Sequence, residues 1–167
     1  LKGCGDNLIM FFRSCLESSC LGELCMGIES CTGLRMIEMV CRGSLAPPVL
    51  NHNKTDDIYW AKVKGVARKK NGFKSHHRPL LHRRDIVQSA IDRLRNSHFP
   101  ELQHETDNVY VSRKCCNKIN RAIRKAWPYP DIKRVSSHFF RSFYVSATYH
   151  YFNEKSSISA WASDVLA

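Results

Sequence analysis

The sequence predicts a mainly helical fold with one small antiparallel β-hairpin sheet, an α+β architecture. Apolar residues recur at the spacing of helix faces along most of the chain. Between Tyr59 and Val66 the pattern changes to an alternation with a period of two, and an Asn71-Gly72 pair follows, which is typical of hairpin turns. The chain has 167 residues, the length of one ordinary domain, so we expect a single module over 1–167.

Three helices are predicted before the hairpin. Residues 6–17 form one broad apolar face, and residues 21–31 are apolar on most sides. Gly33 ends the second helix, because glycine readily adopts the left-handed backbone conformation that closes a helix. The third helix is predicted over 34–42.

Arg35 and Glu38 lie one turn apart on this third predicted helix. As an exposed ion pair they contribute only roughly a few tenths of a kcal/mol. Arg35 also follows a tight glycine turn and is flanked by apolar residues, so it is held firmly enough to meet a phosphate. Glu38 can then orient a partner in the same site.

A loop is predicted from Ala46 to Asp57, because Pro47-Pro48 breaks the helical pattern. Strands are predicted over 59–66 and 75–81. Between Ala61 and Arg84 the chain carries nine basic residues and no acidic one, which a solvated hairpin does not need. These residues are Lys62, Lys64, Arg68, Lys69, Lys70, Lys74, Arg78, Arg83 and Arg84.

The second half of the chain predicts helices over 84–95, 109–127 and 158–166, and another that begins near Ser137. The helix over 109–127 has an apolar face and a basic face. The basic face either contacts the backbone of a polyanion or is simply solvated. It consists of Arg113, Lys114, Lys118, Arg121, Arg124 and Lys125.

His138 and Arg141 stand three residues apart at the start of the helix that begins near Ser137. They therefore lie one turn apart on the same side, and a hydroxyl of Ser136 or Ser137 can cap the first turn. A helix N-terminus favours an anion, so an imidazole and a guanidinium added there make a phosphate site. Taken alone, the same pair also fits a solvated basic surface.

The charge balance indicates a polyanionic partner. Lysine and arginine total 26 against 15 acidic residues, a formal net charge of +11, and nucleic acid is the first candidate. No run of eighteen apolar residues is present, which excludes a membrane-spanning segment, and no segment combines a basic face with a continuous apolar one.

The eight cysteines are predicted to be reduced thiols, which points to a nuclear or cytoplasmic setting. None forms a C-x-x-C pair, so a zinc site is not favoured. His76 and His77 are adjacent on a predicted strand and point to opposite faces, so they cannot easily share a metal ion. The sequence has no glycine-rich phosphate loop, and we expect no metal and no cofactor.

Three boxes occur in an order that resembles the tyrosine recombinase family, which includes integrases and telomere resolvases. They are Thr32-Gly33-Leu34-Arg35 with Glu38 three residues on, the lysine-rich hairpin, and the His138 to Arg141 box. The segment Phe143 to Ala147 and the aromatic residues after it are similar to the telomere resolvase branch.

The resemblance implies DNA breaking and rejoining by metal-independent transesterification through a 3′-phosphotyrosyl intermediate. In that chemistry Arg35 and Arg141 stabilise charge on the phosphate, and Glu38 orients the site. His138 donates to the phosphate or moves a proton, and a hairpin lysine protonates the leaving 5′ oxygen. Lys70 is our choice for that lysine. The other candidates are Lys69, Lys64 and Lys74.

The implied partner is double-stranded DNA, and the resemblance is compatible with a homo-oligomer on DNA and with a viral or mobile-element origin. The predicted DNA-binding residues, besides the site itself, are Lys64, Arg68, Lys69, Lys74, Arg113, Lys114, Arg121 and Lys125. The alternative is a non-catalytic basic nucleic-acid-binding module.

The family's second His or Trp and its tyrosine nucleophile are not recognised in their places. Asp164 to Ala167 looks like the approach to that motif, and Trp161 is an early candidate for the His or Trp. Tyr144, Tyr149 and Tyr151 lie in the wrong element and are interpreted as helix-packing aromatics. We therefore expect a catalytic-type domain that stops before its nucleophile-bearing helix.

Overall fold

A computed structural model describes residues 2–48, 57–65, 76–133, 135–152 and 157–166. The described chain is mostly helical and includes one three-stranded antiparallel sheet, which confirms the predicted fold class. Its elements are α1 (Lys2–Cys15), α2 (Leu21–Thr32), a π-helical turn (Glu38–Arg42), β1 (Ser44–Ala46), β2 (Trp60–Lys64), β3 (His76–Pro79), α3 (Arg84–His98), a 3-10 turn (Pro100–Leu102), α4 (Asn108–Ala126), α5 (Ser137–Phe152) and α6 (Ile158–Leu166).

Helix α2 is the centre of the core. Ten of its twelve residues are buried, as the apolar character on most of its sides predicts, and it packs against α1, α3, α4 and α5. The approach to α4 is close: a Cβ on Gly22 would lie 2.2 Å from the carbonyl oxygen of Ala122. The two helices that later form the walls of the site, α4 and α5, therefore both rest on α2.

The sheet has the order β1-β2-β3 with antiparallel pairs throughout. The predicted hairpin strands are found as β2 and β3, with Trp60 opposite Pro79. Strand β1 was not predicted, since the sequence indicated a loop from Ala46 onward. It is only three residues long and pairs with a distant part of the chain, Leu45 opposite Val63, so it leaves no local periodic signal.

The turn at Gly33 is confirmed. Gly33 has a φ of 64°, and its N–H donates to the carbonyl oxygen of Glu29 at 2.8 Å. A Cβ there would lie 2.4 Å from the ring of Tyr144, so both the backbone conformation and the space require glycine. The hydroxyl of Thr32 accepts a hydrogen bond from the Leu34 N–H at 3.0 Å, which directs the chain toward Arg35.

The helix predicted over 34–42 is found from Met36 onward, so its predicted start is two residues early. The regular segment Glu38–Arg42 is a widened π-helical turn, in which the Gly43 N–H donates to the carbonyl oxygen of Glu38. The guanidinium of Arg95 on α3 donates to the carbonyl oxygens of Glu38, Met39 and Gly43 at 2.5–2.9 Å. Because this support comes from α3, the local sequence could not reveal the turn.

Helix α5 begins at Ser137 as predicted and carries a buried face into the core. The hydroxyl of Tyr144, fully buried on this face, donates to the carbonyl oxygen of Pro79 at 2.8 Å, which confirms its packing role. The indole N–H of Trp161 on α6 donates to the hydroxyl of Thr148 at 3.0 Å, so α6 is anchored on α5.

The seven cysteines whose side chains are described are all free thiols. Within the described ranges, none of the helices has the length and apolar character needed to cross a membrane. The same residues contain no cluster of three or more histidine, cysteine or acidic side chains that could hold a metal ion.

Candidate active site

Arg35 is held by Glu38 at the entry of the π-helical turn. The Oε2 atom of Glu38 accepts a hydrogen bond from the Arg35 backbone N–H at 2.8 Å, and its Oε1 atom accepts one from Nη1 of the guanidinium at 3.1 Å. The Glu38 side chain is 1% exposed and the Arg35 side chain 42%. A glutamate that reaches back to the N–H three residues earlier resembles a capping box, and it fixes the base of Arg35 while its guanidinium stays accessible.

His138 and Arg141 lie on the first turn of α5, as their spacing predicts. His138 is exposed, whereas Arg141 is largely buried, and its Nη1 has no hydrogen-bond partner within the described part of the chain. Burial lowers the pKa of Arg141 to about 10, and the charge of Glu38 opposes this effect. Arg141 therefore remains a cation at neutral pH, with a donor available for a ligand.

These residues meet in a cavity of about 490 Å³, which we call the arginine cavity. Its walls come from the chain just before the π-helical turn, from α4 and from the first turn of α5. It combines two guanidinium groups, one imidazole and the N-terminal end of a helix, an arrangement that attracts a phosphate. The lining residues are Arg35, Met36, Ile37, Ser112, Cys116, Ser137, His138 and Arg141.

Arg78 on β3 was missed as a residue of this site, because the sequence placed it only among the basic residues of the hairpin. It is fully buried, and its Nη1 makes a long contact of 3.5 Å with the carbonyl oxygen of Gly33. Burial lowers its pKa, the nearby charge of Glu38 raises it, and that of Arg35 lowers it. Arg78 is thus a third guanidinium behind the cavity. Arg78 is buried because it pairs across the sheet with the buried Ala61. The sequence could not show this, because the pairing of the two strands is known only from the structure.

Other predicted residues are not among those that line the cavity. Lys64 is exposed at the end of β2, opposite Ser44. Lys70, the predicted catalytic lysine, and its neighbours Arg68, Lys69 and Lys74 fall in 66–75, outside the described residues.

All six tyrosines of the chain are described, and none lines the arginine cavity. Tyr144 is buried in the core, and the Tyr151 hydroxyl donates to Asp6 of α1 at the surface. Trp161 is engaged with α5 and does not line the cavity either. Among the residues that line the cavity, the hydroxyl groups belong to Ser112 and Ser137.

Helix α4 presents the predicted basic face. Val111, Cys115, Ile119 and Ile123 are buried against the core, and Asp107 caps the N-terminus by accepting from two backbone N–H groups. Arg113, Lys114, Arg121 and Lys125 are exposed on the opposite side, as are Lys118 and Arg124. The wall residue Ser112 belongs to the same helix, so the basic face continues from the edge of the cavity.

Two further cavities, of about 530 and 500 Å³, lie along α1 and the end of α5. Their walls are mainly apolar and include Ile9 and Tyr151, and neither contains Arg35 or Arg141. We assign the candidate site to the arginine cavity, because its two guanidinium groups and its imidazole can stabilise the negative charge of a phosphate.

The family model of the telomere resolvase ResT/TelK catalytic domain matches residues 5–166 of this chain. The chain belongs to the telomere resolvase catalytic-domain family. This match confirms the resemblance inferred from the T-G-L-R-x-x-E and H-x-x-R boxes and places the chain in the telomere resolvase branch of the tyrosine recombinase-like enzymes. Among curated proteins, no sequence matches the chain significantly.

Solved structures of telomere resolvases share the fold. A variant of protelomerase TelA, covalently complexed with substrate DNA, has a TM-score of 0.76 and 20% identity, over 96% of this chain and 52% of the TelA chain. A further TelA variant, complexed with a DNA hairpin product, has the same TM-score and identity over 98% of this chain and 53% of the TelA chain. Protelomerase TelK complexed with substrate DNA has a TM-score of 0.74 and 14% identity, over 96% of this chain and 34% of the TelK chain. The chain thus spans about half the length of the TelA protein.

Proposed function

We propose that this chain binds duplex DNA and supplies the phosphate-binding part of a telomere resolvase, which breaks and rejoins DNA through a 3′-phosphotyrosyl intermediate. The observation that carries the proposal is the meeting of Arg35, His138 and Arg141 in one cavity at the N-terminus of α5. The family match over residues 5–166 supports the same chemistry.

The charges of the cavity suit the transition state of this reaction. Attack on a phosphodiester concentrates negative charge on the non-bridging oxygens, and fixed guanidinium groups stabilise that charge without having to reorganise. Arg35 is fixed by Glu38, and Arg141 by its position on α5. Arg78 adds positive potential from behind without lining the cavity.

In the proposed step one phosphorus–oxygen bond forms as another breaks, a base takes one proton and Lys70 gives one. A tyrosine oxygen attacks phosphorus, its proton leaves to a base, and the bond between phosphorus and the 5′ oxygen breaks. The 5′ oxygen takes up a proton, in this proposal from Lys70, and becomes a hydroxyl. The energy of the phosphodiester is retained in the phosphotyrosine, so a 5′ hydroxyl can reverse the step and rejoin the strand.

The attacking tyrosine in this proposal is supplied from outside these 167 residues. None of the six tyrosines lines the arginine cavity, and Tyr144 is buried with its hydroxyl bonded to Pro79. His138, exposed at the cavity, is placed to donate to a phosphate oxygen.

Duplex DNA is the proposed partner for reasons of charge as well as family. The chain has a formal net charge of +11, and the basic face of α4 extends from the wall of the cavity. The solved TelA and TelK structures are complexes with substrate DNA.

The test is the affinity of the 167-residue chain for a labelled DNA duplex, measured by fluorescence anisotropy. Arg141→Ala should weaken binding by about ten-fold or more, because it removes a charged hydrogen-bond donor to phosphate. Arg83→Ala is the matched control, since Arg83 is an exposed arginine paired with Asp85 and does not line the cavity. Equal losses in the two variants would show that the arginine cavity is not the DNA phosphate site.

A further inference from the structure

Glu29 is a buried acidic residue beneath the arginine cavity. It lies on α2, four residues before Gly33, and its side chain is fully buried. Its Oε1 atom accepts a hydrogen bond from the hydroxyl of Ser137 at 2.5 Å, across 108 residues of sequence. Its Oε2 atom is buried as well and has no hydrogen-bond partner within the described ranges. Burial of such a group is costly, so it is seldom retained without a role.

The bond to Ser137 connects the core to the wall of the cavity. Ser137 is the first residue of α5 and lines the arginine cavity, immediately before His138. Either Ser136 or Ser137 was predicted to cap this helix, and the hydroxyl of Ser137 donates to Glu29. The first turn of α5 is therefore tied to α2 by a side-chain hydrogen bond as well as by packing.

Glu29 also acts on Arg141 through its charge. The positive charge of Arg141 is favoured by Glu38 and Glu29 and opposed by two other cations, Arg35 and Arg78. Three arginines and two acids thus form one interacting group around the cavity. Of these five residues, Glu29 is the buried acid whose carboxyl accepts a hydrogen bond from the wall residue Ser137.

Burial raises the pKa of Glu29 to about 8, although the Ser137 hydrogen bond and the charge of Arg141 lower it in part. The ionisable groups that act on this carboxyl are Arg141 of α5 and Cys25 of its own helix. Of the other helices that pack on α2, namely α1, α3 and α4, none contributes such a group among the described residues.

The protonation of Glu29 therefore changes the charge of the group. With Glu29 neutral, three cations face one anion, Glu38, and the sum is +2. With Glu29 ionised, three cations face two anions, and the sum is +1. A DNA phosphate carries one negative charge and is held more strongly in the first state.

We propose that Glu29 is a positioning residue for the DNA phosphate in the arginine cavity: through Ser137 it anchors the first turn of α5, and its carboxyl regulates the positive charge that Arg141 and its neighbours present. This inference rests on the proposed function, because it concerns the same phosphate. Proton binding to Glu29 and phosphate binding in the cavity then strengthen each other by linkage.

The first experiment measures the affinity of the 167-residue chain for a labelled duplex between about pH 6.5 and about pH 9.5 at constant ionic strength. The unsubstituted chain should lose about five-fold or more in affinity across the range. Glu29→Gln should lose clearly less, because glutamine keeps the shape and an acceptor for Ser137 but cannot ionise. All other ionisable groups are common to both proteins, so the difference between the two pH profiles reports Glu29.

Glu23→Gln is the matched control for this experiment. Glu23 lies on the same helix and also accepts a serine hydroxyl at 2.5 Å, from Ser18, but neither residue lines the arginine cavity. Its profile should coincide with that of the unsubstituted chain. A purely structural role for Glu29 would lower the melting temperature of Glu29→Gln and leave its pH profile unchanged.

The second experiment tests the anchor itself and does not depend on a substitution of the buried acid. Ser137→Ala should weaken DNA binding by about three-fold or more at neutral pH, and Ser137→Thr, which keeps the hydroxyl, should restore it. Ser18→Ala should bind as the unsubstituted chain does. Unchanged binding by Ser137→Ala would overturn the anchoring role.

The outcomes separate this inference from the proposed function. If the unsubstituted chain does not bind the duplex, or if Arg141→Ala binds as well as Arg83→Ala, the proposed function fails. If binding depends on Arg141 while Glu29→Gln keeps the unsubstituted pH profile and Ser137→Ala binds normally, only the role of Glu29 fails. If Glu29→Gln does not fold, the Ser137 variants decide.

Discussion

Glu38 accepts two hydrogen bonds from one residue, Arg35: its Oε2 atom binds the backbone N–H at 2.8 Å, and its Oε1 atom binds the guanidinium at 3.1 Å. The same carboxylate is 1% exposed and acts by charge on both Arg78 and Arg141. The acid of the R-x-x-E box is therefore the common counter-charge of the three arginines. The spacing alone indicated only a pair.

Glu38→Gln should lower both stability and DNA binding. Glutamine has one oxygen, so it cannot accept from the backbone N–H and from the guanidinium at once, and one partly buried donor of Arg35 loses its partner, at a cost of about 1–3 kcal/mol. For a chain of this length the melting temperature should fall by roughly 2–12 °C. Glu101→Gln, at an exposed position of the 3-10 turn, is the control and should melt like the unsubstituted chain. Equal melting of the two variants would contradict the role of Glu38.

The basic face of α4 should contact DNA phosphates. Arg121→Gln combined with Lys125→Gln should weaken duplex binding and reduce the slope of log affinity against log salt by roughly 0.9 for each lost contact. The control combines Arg83→Gln with Lys133→Gln, which removes the same charge from exposed positions that belong to other parts of the chain. Because net charge is equal in the two proteins, equal slopes would show that the α4 face acts only through the overall charge.

The 167-residue chain should bind DNA without forming a covalent complex. Charged groups that hold a phosphate act independently of the nucleophile, and none of the six tyrosines lines the arginine cavity. Incubation with a nicked suicide duplex and a denaturing gel should show no protein–DNA adduct. Tyr149→Phe and Tyr151→Phe should bind as the unsubstituted chain does. An adduct that is lost in either variant would identify the nucleophile within the chain and refute this assignment.

The stability of the chain should fall as the pH rises from about 4.5 to about 8. These limits are the ordinary pKa of a glutamate and the raised pKa of Glu29 in the folded chain. Over that interval the unfolded chain releases the Glu29 proton while the folded chain retains it, so the free energy of unfolding decreases with pH. Melting temperatures across this interval should show a smaller decrease for Glu29→Gln than for Glu23→Gln, which keeps the buried carboxyl. Parallel curves for the two variants would mean that Glu29 does not titrate in this way.

Local sequence determined most of the helices and the positions of the reactive boxes. The spacing of apolar residues predicts α3, α4, α5 and α6 closely, because each helix buries one continuous face and side chains three or four residues apart share it. The end of α2 at Gly33 is predicted equally well, because glycine adopts the left-handed backbone conformation more readily than other residues do. The placement of His138 and Arg141 on one side of a first turn follows from helix geometry alone.

Tertiary structure decided what surrounds those boxes. The π-helical turn depends on Arg95 from α3, the burial of Arg78 depends on strand pairing, and the role of Glu29 depends on Ser137, which is 108 residues away. None of these contacts has a local signal, because each partner is brought close only when helices and strands pack. A chain shows by its own periodicity which residues face inward together. The packing of the whole domain then determines which charged residues from distant parts of the chain these inward-facing residues contact.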